Sequence, residues 1–189
     1  MKHSYVLTYD LKTGAPLQWT EKVSDEEIAA AARAASESGW GVIACDEMPI
    51  KHVEIVVGDQ KYPVVQVDTE AVKRSALARI DRGVGEELAR HITPGMDETY
   101  REKLDEARSH KKRGAKTPLL AAEAKAKGRS VPEIAADVLA RADACRAIRH
   151  RLEDARQTAK AIVREADNLI DVVEAETTDW AALAAEQGV

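Results

Sequence analysis

Between Ser130 and Glu176 the chain carries one proline, at position 132, and no glycine. Ser130 and Glu133 form a capping box at the head of this run, and Pro132 suits a first helical turn. An uninterrupted helix of about 45 residues would extend about 65–70 Å, so an elongated body is expected. Its apolar positions are Ile148, Leu152, Ala155, Ala159, Ile162, Ala166, Leu169 and Val173, at alternating steps of four and three. That is the 3.5-residue period of a coiled coil. Large side chains and alanines mix along the seam, so a partner helix could approach closely at the alanines. Two partners fit: another segment of the same chain in a helical hairpin, or the same seam of a second copy. Ile148, Leu152, Ile162, Leu169 and Val173 are the candidate interaction residues.

Most of the chain after Asp68 shares this character. "TEAVKRSALARID" is amphipathic, with Gly83 and Gly85 placed to interrupt or kink it, and "GEELARHI" resumes until Thr93-Pro94-Gly95. That triplet is the candidate helix break, because proline and glycine both disfavour a helix interior. "MDETYREKLDEARSHKKR" follows, with Tyr100, Leu104 and Ala107 at helical spacing. Its acidic start and basic end complement the helix dipole. Thr117 can cap "PLLAAEAKAKG", with Pro118 in the first turn.

Residues 1–67 differ. "HSYVLTYD" and "LQWTEKV" flank the turn "LKTGAP" as a hairpin, with Trp19 and Trp40 expected to anchor the sheet. Ser24 and Glu27 make a capping box for a helix that stops at Gly39. "WGVIACDE" is extended, and "KHVEIVVGDQKYPVVQVD" alternates about Gly58-Asp59 as a second hairpin. The expected fold class is α+β: a small α+β docking domain over 1–67, then an extended α-helical hairpin or coiled-coil region for packing and oligomerisation over 68–189.

The totals narrow the function. Hydrophobic residues make up 44% of the chain, but aromatics only 4%, with no phenylalanine. An alanine-heavy apolar set fills little volume and favours closely approaching helices over a deep pocket. A net charge of −5 disfavours nucleic acid as a partner. No stretch reaches the roughly 18 apolar residues of a membrane span, and no signal peptide is visible, so a cytoplasmic protein, or one assembled there, is expected.

His3, His52, His91, His110 and His150 show no metal-ligand pairing, and there is no nucleophile elbow, phosphate loop or dinucleotide fingerprint. No catalytic residue, cofactor or metal is expected, and the chain reads as a non-enzyme rather than a hydrolase or nucleic-acid-processing factor. The basic "RSHKKRGAK" at 108–116 reads as a helix end running into a solvated loop. Cys45 and Cys145 read as buried small hydrophobes, and spacing leaves open whether they pair. Trp180 lies beyond the long helix and could dock on the body or on a partner.

"HITPGMDETYREKLDEA", then "TPLLAAEAKAKGRSVPEIAADVLARADACRAI", resembles a recurring region of tailed-bacteriophage tail proteins over roughly residues 72–175. "YVLTYDLKTGAPL", "GWGVIACDE" and "HVEIVVGDQKYPV" resemble the small domain that leads it. Thr117 stands where an aromatic often precedes the proline, and Cys145 lies near another common aromatic position. The resemblance implies that the break at Thr93-Pro94-Gly95 re-aims the next helix with Tyr100 and Leu104 turned inward. It also implies a virion component of the tail, associated with tail fibre or baseplate, made in the host bacterial cytoplasm. Fibre or baseplate subunits and further copies of itself would be its partners. The alternative it implies is a tail fibre assembly chaperone absent from the mature virion.

Overall fold

The computed structural model describes residues 4–22, 24–91, 97–113 and 117–186. The fold is α+β, with five strands near the N-terminus and seven helices among the described residues. β1 (Ser4–Asp10) and β2 (Pro16–Lys22) form the first expected hairpin. Asp10 builds its turn: one carboxylate oxygen accepts from the backbone N–H groups of Lys12 and Thr13, both at 2.8 Å. Gly14 supplies the positive φ of 69° that the turn needs. α1 (Asp25–Glu37) starts at Ser24, whose hydroxyl accepts from the Glu27 N–H, and ends before Gly39. β3 (Trp40–Cys45) pairs antiparallel with β1, giving the order β2-β1-β3. The central strand is covered on both faces, with Val6, Leu7, Thr8 and Tyr9 all buried. β4 (Ile50–Val57) and β5 (Gln60–Val67) form a separate two-stranded sheet.

α2 (Thr69–Arg90) is capped by Asp68, which accepts from the Ala71 N–H at 3.1 Å. α3 (Asp97–Arg113), α4 (Pro118–Lys127), α5 (Val131–Glu165), α6 (Leu169–Glu176) and α7 (Trp180–Ala185) follow. The chain divides into two compact units, Met1–Arg82 with Arg156–Thr178, and Gly83–Ala155 with Asp179–Val189. The division therefore falls inside α2 and α5 and not at the 67/68 boundary drawn from composition. Composition tracks secondary structure, whereas compactness tracks which side chains meet.

In the first unit, the α5 end and α6 fold onto α2 and the sheet. Asp81 of α2 accepts from Arg156 at 2.7 Å and from Lys160 at 2.8 and 2.7 Å. Lys73 donates to the Arg164 carbonyl at 3.0 Å, satisfying one of the orphan acceptors of the α5 C-terminus. Arg79 and Glu176 form an ion pair, both largely buried. The core includes Ala71, Val72, Ala76 and Ile80 of α2 and Ala159, Val163, Leu169 and Val172 of the returning segment.

In the second unit, Ala107, Leu120, Ala124, Ile134 and Ala135 form one apolar cluster, flanked by Val131, Val138 and Leu139. Thr117 occupies the N-cap of α4 but makes no side-chain cap bond. Glu106 of α3 takes that place: its carboxylate accepts from the N–H groups of Leu119 at 3.1 Å and Leu120 at 2.9 Å. A carboxylate at a helix N-terminus is favoured by the dipole as well as by the bonds. Glu123 of α4 pairs with Lys103 of α3 at 2.8 Å and with Lys127 one turn along. A second cluster joins Val84, Leu152 and Ala184 with Leu88, Ile148, Trp180 and Leu183.

Several expectations are corrected. The long helix stops at Glu165 after 35 residues, about 52 Å at 1.5 Å per residue. Asn168 restarts the chain as α6 by accepting from the Asp171 N–H at 3.0 Å, a cap strong enough to end a run without glycine or proline. Gly83 and Gly85 neither interrupt nor end α2. A β-carbon on Gly83 would lie 2.6 Å from the Trp180 indole nitrogen, so the missing side chain makes room for a docked tryptophan. Tyr100 is exposed rather than turned inward, and Trp19 and Trp40 are also exposed. Trp19 does meet Tyr5, with ring centroids 6.0 Å apart. Thr93, Pro94 and Gly95 lie outside the described residues, between the end of α2 and the start of α3.

Two outcomes follow. Glycine to alanine inside a helix ordinarily stabilises by about 1 kcal/mol. Gly83→Ala is expected to destabilise instead, by about 1–3 kcal/mol from overpacking against Trp180. A lowered melting temperature with a red-shifted tryptophan emission checks this, and Gly85→Ala, with open space around it, is the stabilising control. The second outcome concerns acid. Hydrogen bonds from Lys103, then from Lys127, pull Glu123 from 4.5 to about 2. A lowered carboxylate contributes stability above its ordinary value and loses it as pH falls through the folded one. The stability advantage of the wild type over Glu123→Gln should therefore shrink between about pH 4.5 and 2, measured by thermal melts across that range.

Candidate interaction surface

The β4–β5 hairpin turns on Gly58 and Asp59. Gly58 takes a φ of 62° and Asp59 stays at negative φ, the pattern of a type II′ turn with glycine first. A two-residue loop fixes the register: Val57 pairs with Gln60, Ile55 with Tyr62, Val53 with Val64 and Lys51 with Gln66. Counting back from the turn, these are the hydrogen-bonded pairs, and Val56–Lys61, Glu54–Pro63 and His52–Val65 alternate between them. Pro63, which has no N–H, thus sits where its nitrogen faces away from β4 and no ladder bond is lost.

One face of this ribbon carries Lys51, Val53, Ile55, Val57, Tyr62 and Val64. The other carries Ile50, His52, Glu54, Val56, Pro63, Val65 and Val67. β-Branched residues at these positions explain the strand, but not the exposure. Val57 is 64% exposed, Val56 61%, Val65 55%, Tyr62 47% and Ile55 41%. Ile55, Val57 and Tyr62 lie together on one face as a contiguous apolar patch, with Val56 and Val65 exposed on the other, and such patches mark contact sites. An isolated hairpin is also marginal in water, so a covering surface would stabilise it. The Lys61–Glu54 pair at 3.0 Å is exposed and contributes little.

The other concentration of chemistry is buried. Tyr9, Cys45, Arg79, Glu176 and Asp46 lie close in the first unit. Burial pushes the Cys45 thiol up to about 12, outweighing the attraction of Arg79, and a protonated buried thiol is a poor nucleophile. Burial, then Glu174 and Glu176, raise the Tyr9 phenol. Burial raises Glu176 despite the pull of Arg79. All three shifts favour the neutral forms. The cluster reads as a structural ion pair against the sheet, seated where Gly41 leaves room for the Tyr9 ring.

The sequence-derived residues fall in different places. Leu152 is fully buried in the second unit and Ile148 packs beside it. Leu169 is buried and Val173 half-buried in the first unit, where Val172 is the fully buried neighbour. Ile162 is 44% exposed, and Val163 takes the inward position. Cys45 is buried and Cys145 exposed, and both are free. His52 and His150 are exposed, His110 is half-buried, and His91 lies 3.1 Å from Glu87 one turn back; His3 is outside the described residues. Among the described residues no three potential ligands converge on a metal position, and no helix is long and apolar enough to cross a membrane. The hairpin was visible in the sequence as an alternating pair of strands, and its exposure was not.

No family model matches the chain, nor does any curated protein or solved structure.

The buried ion pair makes a stability prediction. Arg79→Met should destabilise by about 3–5 kcal/mol, because it strands a buried carboxylate. With Glu176 raised in the folded state, its contribution is present at low pH and lost as pH rises through the folded value. The deficit of Arg79→Met should therefore grow with pH across the carboxylate range, and the double variant Arg79→Met with Glu176→Leu should recover most of it. Thermal melts of the three proteins measure both effects.

Proposed function

We propose that the protein is a non-enzymatic component of a bacteriophage tail, associated with fibre or baseplate, that works through protein–protein contacts. The observation that carries this reading is the exposed apolar β4–β5 hairpin, a surface fitted to another protein. The sequence resemblance over roughly residues 72–175, with the stretches 5–17, 39–47 and 52–64 before it, supplies the biological setting. On this reading the chain is made in the host cytoplasm and ends in the virion tail, with fibre or baseplate subunits and its own copies as partners. Nucleic acid, membrane, metal and cofactor have no part in it.

Mass spectrometry of purified virions of the encoding phage is the direct test, and the chain should be found at stoichiometric level with tail proteins. Presence during assembly but absence from the finished particle would assign it to the tail fibre assembly chaperones. Turnover in a hydrolase screen, abolished by one point substitution, would overturn the non-enzymatic reading. Val56→Lys with Val57→Lys should change stability by no more than about 1 kcal/mol, since both side chains are already in water. The same pair should abolish incorporation into particles.

A further inference from the structure

We propose that the outer edge of β4 pairs antiparallel with the same edge of a second copy, on a twofold axis through Val53, giving a continuous sheet β5-β4-β4-β5. The inference rests on the hairpin being a protein contact surface, but not on the tail assignment.

The two edges of the hairpin are not equivalent. On β5 the outward positions are Lys61, Pro63 and Val65, and Pro63 removes the central donor that an added strand would need. On β4 the outward positions are Ile50, His52, Glu54 and Val56, each with a backbone N–H and C=O, and among the described residues no strand pairs with that edge. The other sheet is edged by β2 and by β3; α1 packs against β3, and β2 is the more exposed of the two. It begins at Pro16 and its register with β1 shifts at Thr8/Tyr9, both features that discourage strand addition.

A second copy is selected by the order of side chains along β4. Antiparallel strands joined edge to edge place outward-bonding residues opposite outward-bonding residues. Three registers about the strand centre satisfy this. An axis through Glu54 sets Glu54 against Glu54, with like charges directly opposed. An axis through His52 sets His52 against His52 and the apolar Ile50 against Glu54. An axis through Val53 sets His52 against Glu54 twice, Ile50 against Val56 twice, and Val53 against itself. At the outward-bonding positions only this register sets imidazole against carboxylate and apolar against apolar throughout; on the other face Lys51 comes opposite Ile55. It also extends the charge alternation already present, because Lys61 pairs with Glu54 within each hairpin. On the opposite face, Val53, Ile55, Val57 and Tyr62 of the two copies would merge into one apolar strip, leaving a wider surface for a further partner.

Sedimentation of the full chain at tens of micromolar, with Cys145→Ser as background, tests the pairing. The expected result is a dimer. His52→Glu should weaken it by about tenfold or more, since the twofold axis repeats the repulsion. Adding Glu54→His to His52→Glu should restore it, because imidazole and carboxylate are exchanged but still opposed. Val53→Cys should form an intermolecular disulfide on mild oxidation, the facing Cα atoms of a non-hydrogen-bonded pair being about 4.5 Å apart. His52→Cys and Glu54→Cys, which face other residues in this register, should cross-link far less. Circular dichroism confirms that each variant is folded. A monomeric wild type overturns the dimer while leaving the hairpin open to a tail partner, which the virion-incorporation assay reads separately. A dimer insensitive to the charge exchange, or one that Val53→Cys fails to trap, places the interface elsewhere and overturns it equally.

Discussion

Helix α2 holds the charges that decide where the C-terminal part of the chain goes. Asp81 binds Arg156 and Lys160, Lys73 binds the last turn of α5, and Arg79 meets Glu176 out of reach of most solvent. The first two contacts are exposed or partly so, and such pairs add little stability by themselves. Their value is directional. Alanine-rich surfaces such as Ala71, Ala76 and Ala159 pack closely at many offsets, because small side chains leave shallow grooves. Asp81 with two cations one turn apart, and a buried pair that tolerates no slippage, define one offset. The apolar contacts of Val72, Ile80, Val163 and Val172 can then close on that register.

That dependence explains what the sequence made legible. Local signals were read from local residues: the Ser24 and Ser130 caps, the stop before Gly39, and the turn at Gly58 are each determined within a few positions. The α+β class follows from them. Signals with a tertiary cause have the same appearance as local ones. Gly83 looks like a kink because glycine weakens a helix, yet it serves Trp180, almost a hundred positions away in the same unit. Thr117 looks like a cap, but Glu106 reaches the α4 amide groups from another helix. Ile162 and Val163 are adjacent and both apolar. A strict 3.5-residue count selects Ile162, whereas a straight helix drifts by 3.6 and buries Val163.

The same drift bears on the heptad seam. Leu152 and Leu169 are buried inside their own compact units, so neither is free to form a seam with another chain. Of the two uses open to the seam, internal packing is the one that employs these side chains. The coiled-coil period arose because alternating three and four approximates 3.6 over a few turns, and only a longer stretch would separate the two. Removing residues 1–67 would therefore strip the partners of 156–178 along with the sheet, and the N-terminal region and the helices are not independent parts in this sense.

Among the described residues the hairpin carries the most exposed of the large apolar side chains, Val56 and Val57, and its sequence is unusual for a protected edge. Natural edge strands are blunted by proline, bulges or charges that repel an incoming strand. Pro63 does this for β5. On β4 the corresponding polar side chains, His52 and Glu54, flank Val53 symmetrically, one an imidazole and the other a carboxylate. Two like charges there would have repelled every copy of the chain, and two apolar residues would have accepted any strand. A complementary pair about a central valine excludes most partners while remaining compatible with its own sequence run backwards. Specificity of this kind comes from the mismatches it creates elsewhere, so under the proposed pairing it is the order of four side chains on one edge, rather than the size of the patch, that selects the partner.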